Sequence, residues 1–119
     1  MISDDQIVWL HVEATSQCNA HCPACPRNNF GFGIKAGLVI QDLSIFNLEA
    51  AFDKFKNIKT VQFCGNYGDP IAAKNILEQI DFVIEKNVSK IQIHTNGSLK
   101  TTLWLNYLAK KLQNVEHFV

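Results

Sequence analysis

Strand-like and helix-like segments alternate along this chain, and the alternation restricts its possible folds more than any other feature. The strand-like apolar runs are 7–13, 60–64, 90–94 and 115–119, and the segments with apolar residues at helical spacing are 45–55, 76–84 and 104–112. Because crossovers between parallel strands are right-handed, a β-α-β-α-β-α-β order with repeats of about thirty residues forms a parallel sheet or part of a barrel. The pattern predicts an α/β domain with parallel strands.

The composition is typical of one small globular domain. The chain has 119 residues, of which 47% are hydrophobic and 18% are charged, so it is too apolar for intrinsic disorder. Its 11 basic and 11 acidic side chains cancel, which leaves no net field to attract nucleic acid or an anionic membrane. Neither partner is therefore predicted.

The sequence contains neither a membrane segment nor an export signal. No run approaches the ~18 consecutive apolar residues that a membrane-spanning helix needs. The N-terminal residues 1–5 are acidic, where a secretory signal would be basic. We therefore expect a cytoplasmic protein, in which clustered thiols bind metal or do redox chemistry more often than they form disulfides.

The last apolar run stops where the chain stops. A parallel sheet whose terminal strand has no covering helix leaves a face and an edge exposed. We therefore expect residues 1–119 to be the incomplete N-terminal part of a domain, truncated in its fourth strand. The alternative is that 115–119 is the natural closing strand of a complete four-stranded domain.

Three of the four cysteines follow the first predicted strand closely. Cys18, Cys22 and Cys25 have the spacing C-x3-C-x2-C, and sites in parallel α/β folds form at the carboxyl ends of strands. Thiolates are soft ligands that favour iron–sulfur clusters or zinc over hard cations. Three thiolates on one short loop would hold three irons of a cubane cluster and leave the fourth iron without a protein ligand.

Three other interpretations of these cysteines stay open. Structural zinc would need a fourth ligand, but His21 lies between two of the cysteines and Cys64 ends another strand. Cys22 and Cys25 also form a C-x-x-C of the thioredoxin type, although Pro26 and the glycines after it argue against the helix that this motif needs. The third interpretation is that the cysteines are unrelated core side chains.

The three cysteines resemble the cluster motif of the radical S-adenosylmethionine (radical SAM) superfamily. Two later segments resemble other motifs of the same family. The segment 67–70, Tyr-Gly-Asp-Pro, follows the second predicted strand and resembles the family's Gly-Gly-Glu-Pro segment. His94-Thr95-Asn96-Gly97 ends the third strand, where relatives often carry Thr-Asn-Gly. The chain departs from the family pattern at Ala24, where a bulky residue is usual, and at Tyr67 and Asp69, which replace Gly and Glu.

The resemblance implies a fold, two cofactors and a reaction. The implied fold is the N-terminal portion of a partial (β/α)6 TIM-like barrel, the radical SAM core domain. The implied cofactors are a [4Fe–4S] cluster and S-adenosyl-L-methionine (SAM), whose methionyl group chelates the fourth iron. The implied cluster ligands are Cys18, Cys22 and Cys25, and the implied SAM-binding residues are Tyr67, Gly68, Asp69, Pro70, Thr95 and Asn96. Reduction of SAM would yield a 5′-deoxyadenosyl radical that abstracts hydrogen from a substrate.

The resemblance also implies partners: SAM, an unidentified substrate and an electron donor such as flavodoxin or ferredoxin. The Cys-Pro-x-Cys-Pro-Arg form of residues 22–27 is most similar to the branch that modifies peptides or builds cofactors.

An incomplete barrel shields a radical badly, so we expect this chain to bind the cluster without completing a catalytic cycle. The alternative function is a non-catalytic iron–sulfur electron-transfer or zinc-binding module.

Two further features of the sequence lie close to the cysteines: Arg27 and a glycine-rich segment. Arg27 either offsets the negative charge of a cluster and its ligands or faces water. The glycine-rich segment around Gly31 and Gly33 is not a dinucleotide fingerprint, because it does not join a strand to a helix with the required spacing. We expect it to form a mobile loop over the cluster, with Phe30 and Phe32 as apolar cover.

Overall fold

A computed structural model describes residues 1–113, 115 and 117–118 of the chain. The strands are β1 (Trp9–Val12), β2 (Asn28–Asn29), β3 (Phe32–Ile34), β4 (Thr60–Phe63), β5 (Lys90–Ile93) and β6 (His117–Phe118). The helices are α1 (Ile45–Lys54), α2 (Ile76–Glu85) and α3 (Thr102–Leu112), with 3-10 turns at Asp4–Gln6 and Pro70–Ala72. No helix among these residues is both long enough and apolar enough to cross a membrane.

The main sheet is parallel and contains β1, β4, β5 and β6 in that spatial order. Each strand therefore lies beside the strand of the same sheet that precedes it in the chain, and the predicted α/β class with parallel strands is confirmed. The sheet is open, and no closed barrel forms among the described residues. Of the fourth predicted strand, 115–119, residues 117–118 pair with β5, whereas residues 116 and 119 lie outside the described residues.

One face of the sheet packs against the three main helices. Hydroxyl side chains cap two of the helices, because the Ser44 hydroxyl accepts the N–H of Asn47 and the Thr101 hydroxyl accepts the N–H of Trp104. The apolar helical positions join the strands in one core, whose members include Leu48, Phe52, Ile76, Ile80, Val83, Leu108 and Leu112 from the helices and Val12, Val61, Phe63 and Ile91 from the strands. Successive strand residues point to opposite faces, so this core uses every second residue.

The alternating residues on the other face are polar or exposed. Trp9 is 57% exposed, and His11 lies in register beside Gln62, which lies beside Gln92. None of these four side chains belongs to the core. The sheet therefore has one apolar face and one polar face, and the carboxyl ends of its strands meet at a single edge.

A short antiparallel hairpin, β2–β3, replaces the expected loop at the glycine-rich segment. Its turn requires positive φ at Phe30 (51°) and at Gly31 (87°), a conformation that glycine adopts without strain. Phe30 and Phe32 are each 82% exposed, and neither residue lines the cavity that contains the cysteines. The hairpin instead contacts the cysteine loop directly, since Asn28 donates its side-chain amide to the carbonyl of Cys22 at 3.1 Å.

Candidate functional site

The three cysteines of the motif line one cavity of about 330 Å³ at the carboxyl edge of the sheet. The loops after β1, β4 and β5 all contribute to its wall. The lining residues include Cys18, Cys22, Cys25, Arg27, Cys64, Gly65, Asn66, Tyr67, Gly68, Asp69, His94, Thr95 and Asn96. We call this space the thiol cavity. Of the cluster-binding and SAM-binding residues that the resemblance implies, only Pro70 is missing from its wall, because it is buried at the start of a 3-10 turn.

The thiols are free and accessible to the cavity. Cys22 is exposed, while Cys18, Cys25 and Cys64 are half-buried. In the conformation described, residues 1–113, 115 and 117–118 contain no group of three His, Cys, Asp or Glu side chains close enough to hold a metal ion. The donor set nonetheless suits a soft metal centre, because the accessible sulfur atoms share one cavity. Binding a cluster would require the cysteine loop to draw its thiols together.

Arg27 supplies a buried positive charge in the wall of the thiol cavity. The residue is only 6% exposed, and its Nε donates to the carbonyl of Ser16 at 3.0 Å. Among the described residues, no carboxylate forms an ion pair with it. A buried cation without a counter-ion is costly, so the cavity favours an anion such as a thiolate or a carboxylate. This geometry rules out the interpretation in which Arg27 faces water.

The loop after β4 is held tightly against the end of β1. A Cβ on Gly68 would come within 2.0 Å of the carbonyl oxygen of Thr15, so only glycine fits there. The N–H of Asp69 donates to the carbonyl of Gln17 at 2.7 Å. The Glu13 carboxylate accepts the N–H of Asn66 at 2.9 and 3.1 Å. These bonds hold the Gly65–Asp69 backbone beside the cysteine loop.

The Asp69 side chain is bonded within the protein. Its buried carboxylate accepts the Thr95 hydroxyl at 2.7 and 2.9 Å, the N–H of Asn96 at 2.8 Å and the N–H of Ile71 at 3.1 Å. The carboxylate therefore joins the loop after β4 to the loop after β5. Because it is buried as well as bonded, it has little capacity left for a ligand, and its contribution to the site is to position Thr95 and Asn96.

A second group of amides ties the cysteine loop to the loop after β5. Asn96 donates its side-chain amide to Asn19 Oδ1 at 3.0 Å, and Asn19 donates to the Ser98 hydroxyl at 2.9 Å. None of the motifs in the sequence is defined by Asn19, Ser98 or Glu13, so their contacts were not predicted. The only signal was position: Asn19 follows the first cysteine, and Glu13 follows β1 directly.

Comparisons with known proteins give one partial similarity. No family model matches the chain, and no solved structure matches it. A protein of Pyrococcus furiosus, the tungsten-containing aldehyde ferredoxin oxidoreductase cofactor-modifying protein, is 29% identical to it over 102 residues. The aligned region covers 86% of this chain and 27% of that protein. The chain thus spans about a quarter of the length of this curated relative.

Proposed function

We propose that this chain is the N-terminal part of a radical SAM enzyme, in which Cys18, Cys22 and Cys25 bind a [4Fe–4S] cluster and SAM binds beside it. One observation carries the proposal. The three segments that resemble the family's motifs, which lie far apart in sequence, line the same cavity at the carboxyl edge of a parallel sheet. Sites in parallel α/β folds form at this edge.

The chain's own residues would supply ligation, charge balance and shape. The three thiolates would ligate the cluster, and the buried guanidinium of Arg27 would offset their negative charge. Gly68 lets the backbone lie against the end of β1, so the wall of the cavity at that point is main chain. Thr95 and Asn96, held by Asp69, would complete the polar wall toward SAM. When bound, the cluster and SAM would supply one-electron chemistry for hydrogen abstraction.

The curated relative supports a narrower version of the proposal. Its name describes a protein that modifies the cofactor of an oxidoreductase, which favours cofactor modification over peptide modification for the complete enzyme. An electron donor such as flavodoxin or ferredoxin, and a cytoplasmic location, belong to the same proposal.

A second candidate function is a closed four-thiol site for zinc or an iron–sulfur cluster without catalysis. The observation that favours it is the position of Cys64, which lines the thiol cavity with the three motif cysteines. Four thiolates satisfy all the ligand positions of a structural zinc or of a cubane cluster. No coordination position would then be open to SAM.

Two cysteine variants distinguish these functions. The chain is reconstituted anaerobically with iron and sulfide, reduced, and examined by electron paramagnetic resonance with and without SAM. Under the radical SAM proposal, SAM shifts the cluster signal, Cys22→Ala abolishes the signal, and Cys64→Ala leaves both the signal and the SAM shift in place. The matched pair removes one thiol from the same cavity in each case.

Other results would contradict the proposal. A cluster signal that SAM leaves unchanged, together with loss of the cluster in Cys64→Ala, would establish the four-thiol site instead. Purification of the chain with tightly bound zinc that iron does not displace would also reject the radical SAM function.

A further inference from the structure

A second and larger cavity adjoins the thiol cavity. It measures about 550 Å³, within the range of sites for small organic molecules. Tyr67 lines both cavities, so the two spaces share a wall. The larger cavity lies between the end of β1, the segment before α1 and the first turn of that helix, which contribute Thr15, Leu43 and Asn47. None of the motifs identified in the sequence includes the segment before α1. We call this space the amine cavity.

The two charged residues that line the amine cavity are both acidic. Glu13 and Asp42 line it, and none of its lining residues is Lys, Arg or His. The remaining wall is partly apolar, with Leu38 and Val39 beside the Tyr67 ring. Two carboxylates and an exposed aromatic ring are the groups that proteins use to bind organic cations.

Both carboxylates are fixed in position by neutral donors. Glu13 accepts the N–H of Asn66, and its side chain lies 3.6 Å from the His11 ring. Asp42 accepts the Thr15 hydroxyl at 2.6 Å, the Gln17 side-chain amide at 3.0 Å and the backbone N–H of Lys74 at 3.1 Å. Neutral donors orient a carboxylate without cancelling its charge, so the cavity keeps a preformed attraction for a cation. Lys74 also attracts Asp42 electrostatically, but it does not line the cavity.

We propose that the amine cavity binds an organic amine in its ammonium form, with the charge between Glu13 and Asp42 and the apolar part against Leu38, Val39 and Tyr67. We propose further that such an amine belongs to the substrate of the adjoining thiol cavity. This second step rests on the proposed radical SAM function. The first step does not, because it depends only on the shape and charge of the second cavity.

Binding is tested on the full metal-free chain by two-dimensional ¹H–¹⁵N nuclear magnetic resonance. Three probes of nearly the same shape differ in charge: 2-phenylethylamine is a cation, 2-phenylethanol is neutral and 3-phenylpropionate is an anion. The amine should shift the backbone signals of Ser44 and Asn47 saturably. The other two probes should bind at least about tenfold more weakly, because a charge-assisted hydrogen bond is lost.

Glu13→Gln removes the charge and keeps an oxygen that accepts the N–H of Asn66. It should weaken binding of the amine about tenfold and leave binding of the alcohol unchanged. Glu49→Gln is the matched control, since Glu49 is exposed on α1 and does not line the cavity. Tyr67→Leu should also weaken binding of the amine more than binding of the alcohol, because it replaces the aromatic ring with an aliphatic group.

Equal affinity for the alcohol and the amine would overturn the proposal. So would chemical-shift changes that do not saturate at millimolar amine, or equal effects of Glu13→Gln and Glu49→Gln on amine binding. The substrate step is tested separately by electron paramagnetic resonance of the reduced, SAM-treated chain. The amine should alter the cluster signal of the natural chain but not the cluster signal of Glu13→Gln. No change in this signal, with amine binding intact, would reject the substrate step alone. A cluster that does not respond to SAM would reject the proposed function and leave the amine site standing.

Discussion

At the scale of single residues, Asp69 contributes to the site through its hydrogen bonds to other residues. The family resemblance places Asp69 among the residues that contact SAM. In the structure it is buried and bonded to Thr95, Asn96 and Ile71. A buried carboxylate that accepts several hydrogen bonds stays where those donors hold it. Asp69 is therefore a positioning residue that fixes the loop after β5.

Asp69→Ala should lower the free energy of unfolding by about 2–3 kcal/mol, because buried donors would lose a charged acceptor. Asp69→Asn should cost less, since the amide keeps one accepting oxygen. In both variants the backbone signal of Asn96 should move in the metal-free chain, before any cofactor is present. Urea unfolding and nuclear magnetic resonance measure these effects, with Asp53→Ala, at an exposed position on α1, as the control. An unchanged Asn96 signal and unchanged stability in Asp69→Ala would contradict the positioning role.

At the scale of elements, Asp42 joins three parts of the chain. It precedes α1, and its carboxylate accepts hydrogen bonds from Thr15 after β1 and from the N–H of Lys74 before α2. Burial raises the pKa of this carboxyl, but the hydrogen bonds from Thr15, Lys74 and Gln17 outweigh burial and lower it below the usual value of 3.8. The connection between these elements is therefore strongest when Asp42 is ionised.

This shift sets the sign of a pH effect. A carboxyl whose folded-state pKa is depressed stabilises the fold above its unfolded-state pKa, and this contribution disappears as pH falls through the folded-state pKa. Asp42→Asn lacks the titrating group. The difference in unfolding free energy between the natural chain and Asp42→Asn should therefore shrink as pH falls from about 6 to about 3. Urea titrations at several pH values measure it, and a difference that stays constant over this range would contradict the assignment.

At the scale of the whole molecule, the sequence predicted most of the regular structure and only part of the site. Apolar periodicity located the strands and helices of the main sheet because each buries one face in a common core. It missed the β2–β3 hairpin, whose two-residue and three-residue strands bury no apolar stripe. The motifs placed Cys18 and Thr95 at the same sheet edge, since both follow parallel strands. Contacts such as that between Asn19 and Asn96 depend on loop conformation, which carries no periodic signal.

The open sheet implies a gradient of local stability across the molecule. β4 lies between β1 and β5, and its residues Val61 and Phe63 are 0% exposed. The β2–β3 hairpin contributes nothing to that sheet. Backbone hydrogen bonds in a buried central strand open only with global unfolding, whereas those of an exposed hairpin open locally.

Native-state amide hydrogen exchange should therefore be slowest in β4, and its opening free energy should equal the global free energy of unfolding. The hairpin amides should exchange through openings that cost several kcal/mol less. Exchange followed by nuclear magnetic resonance, compared with urea unfolding of the same sample, provides both numbers. Loading the chain with iron and sulfide should then slow amide exchange in the cysteine loop and in the β2–β3 hairpin that contacts it, because a bound cluster stabilises the folded state to which it binds. Equal protection of β4 and the hairpin in the metal-free chain would mean that the hairpin unfolds only with the sheet.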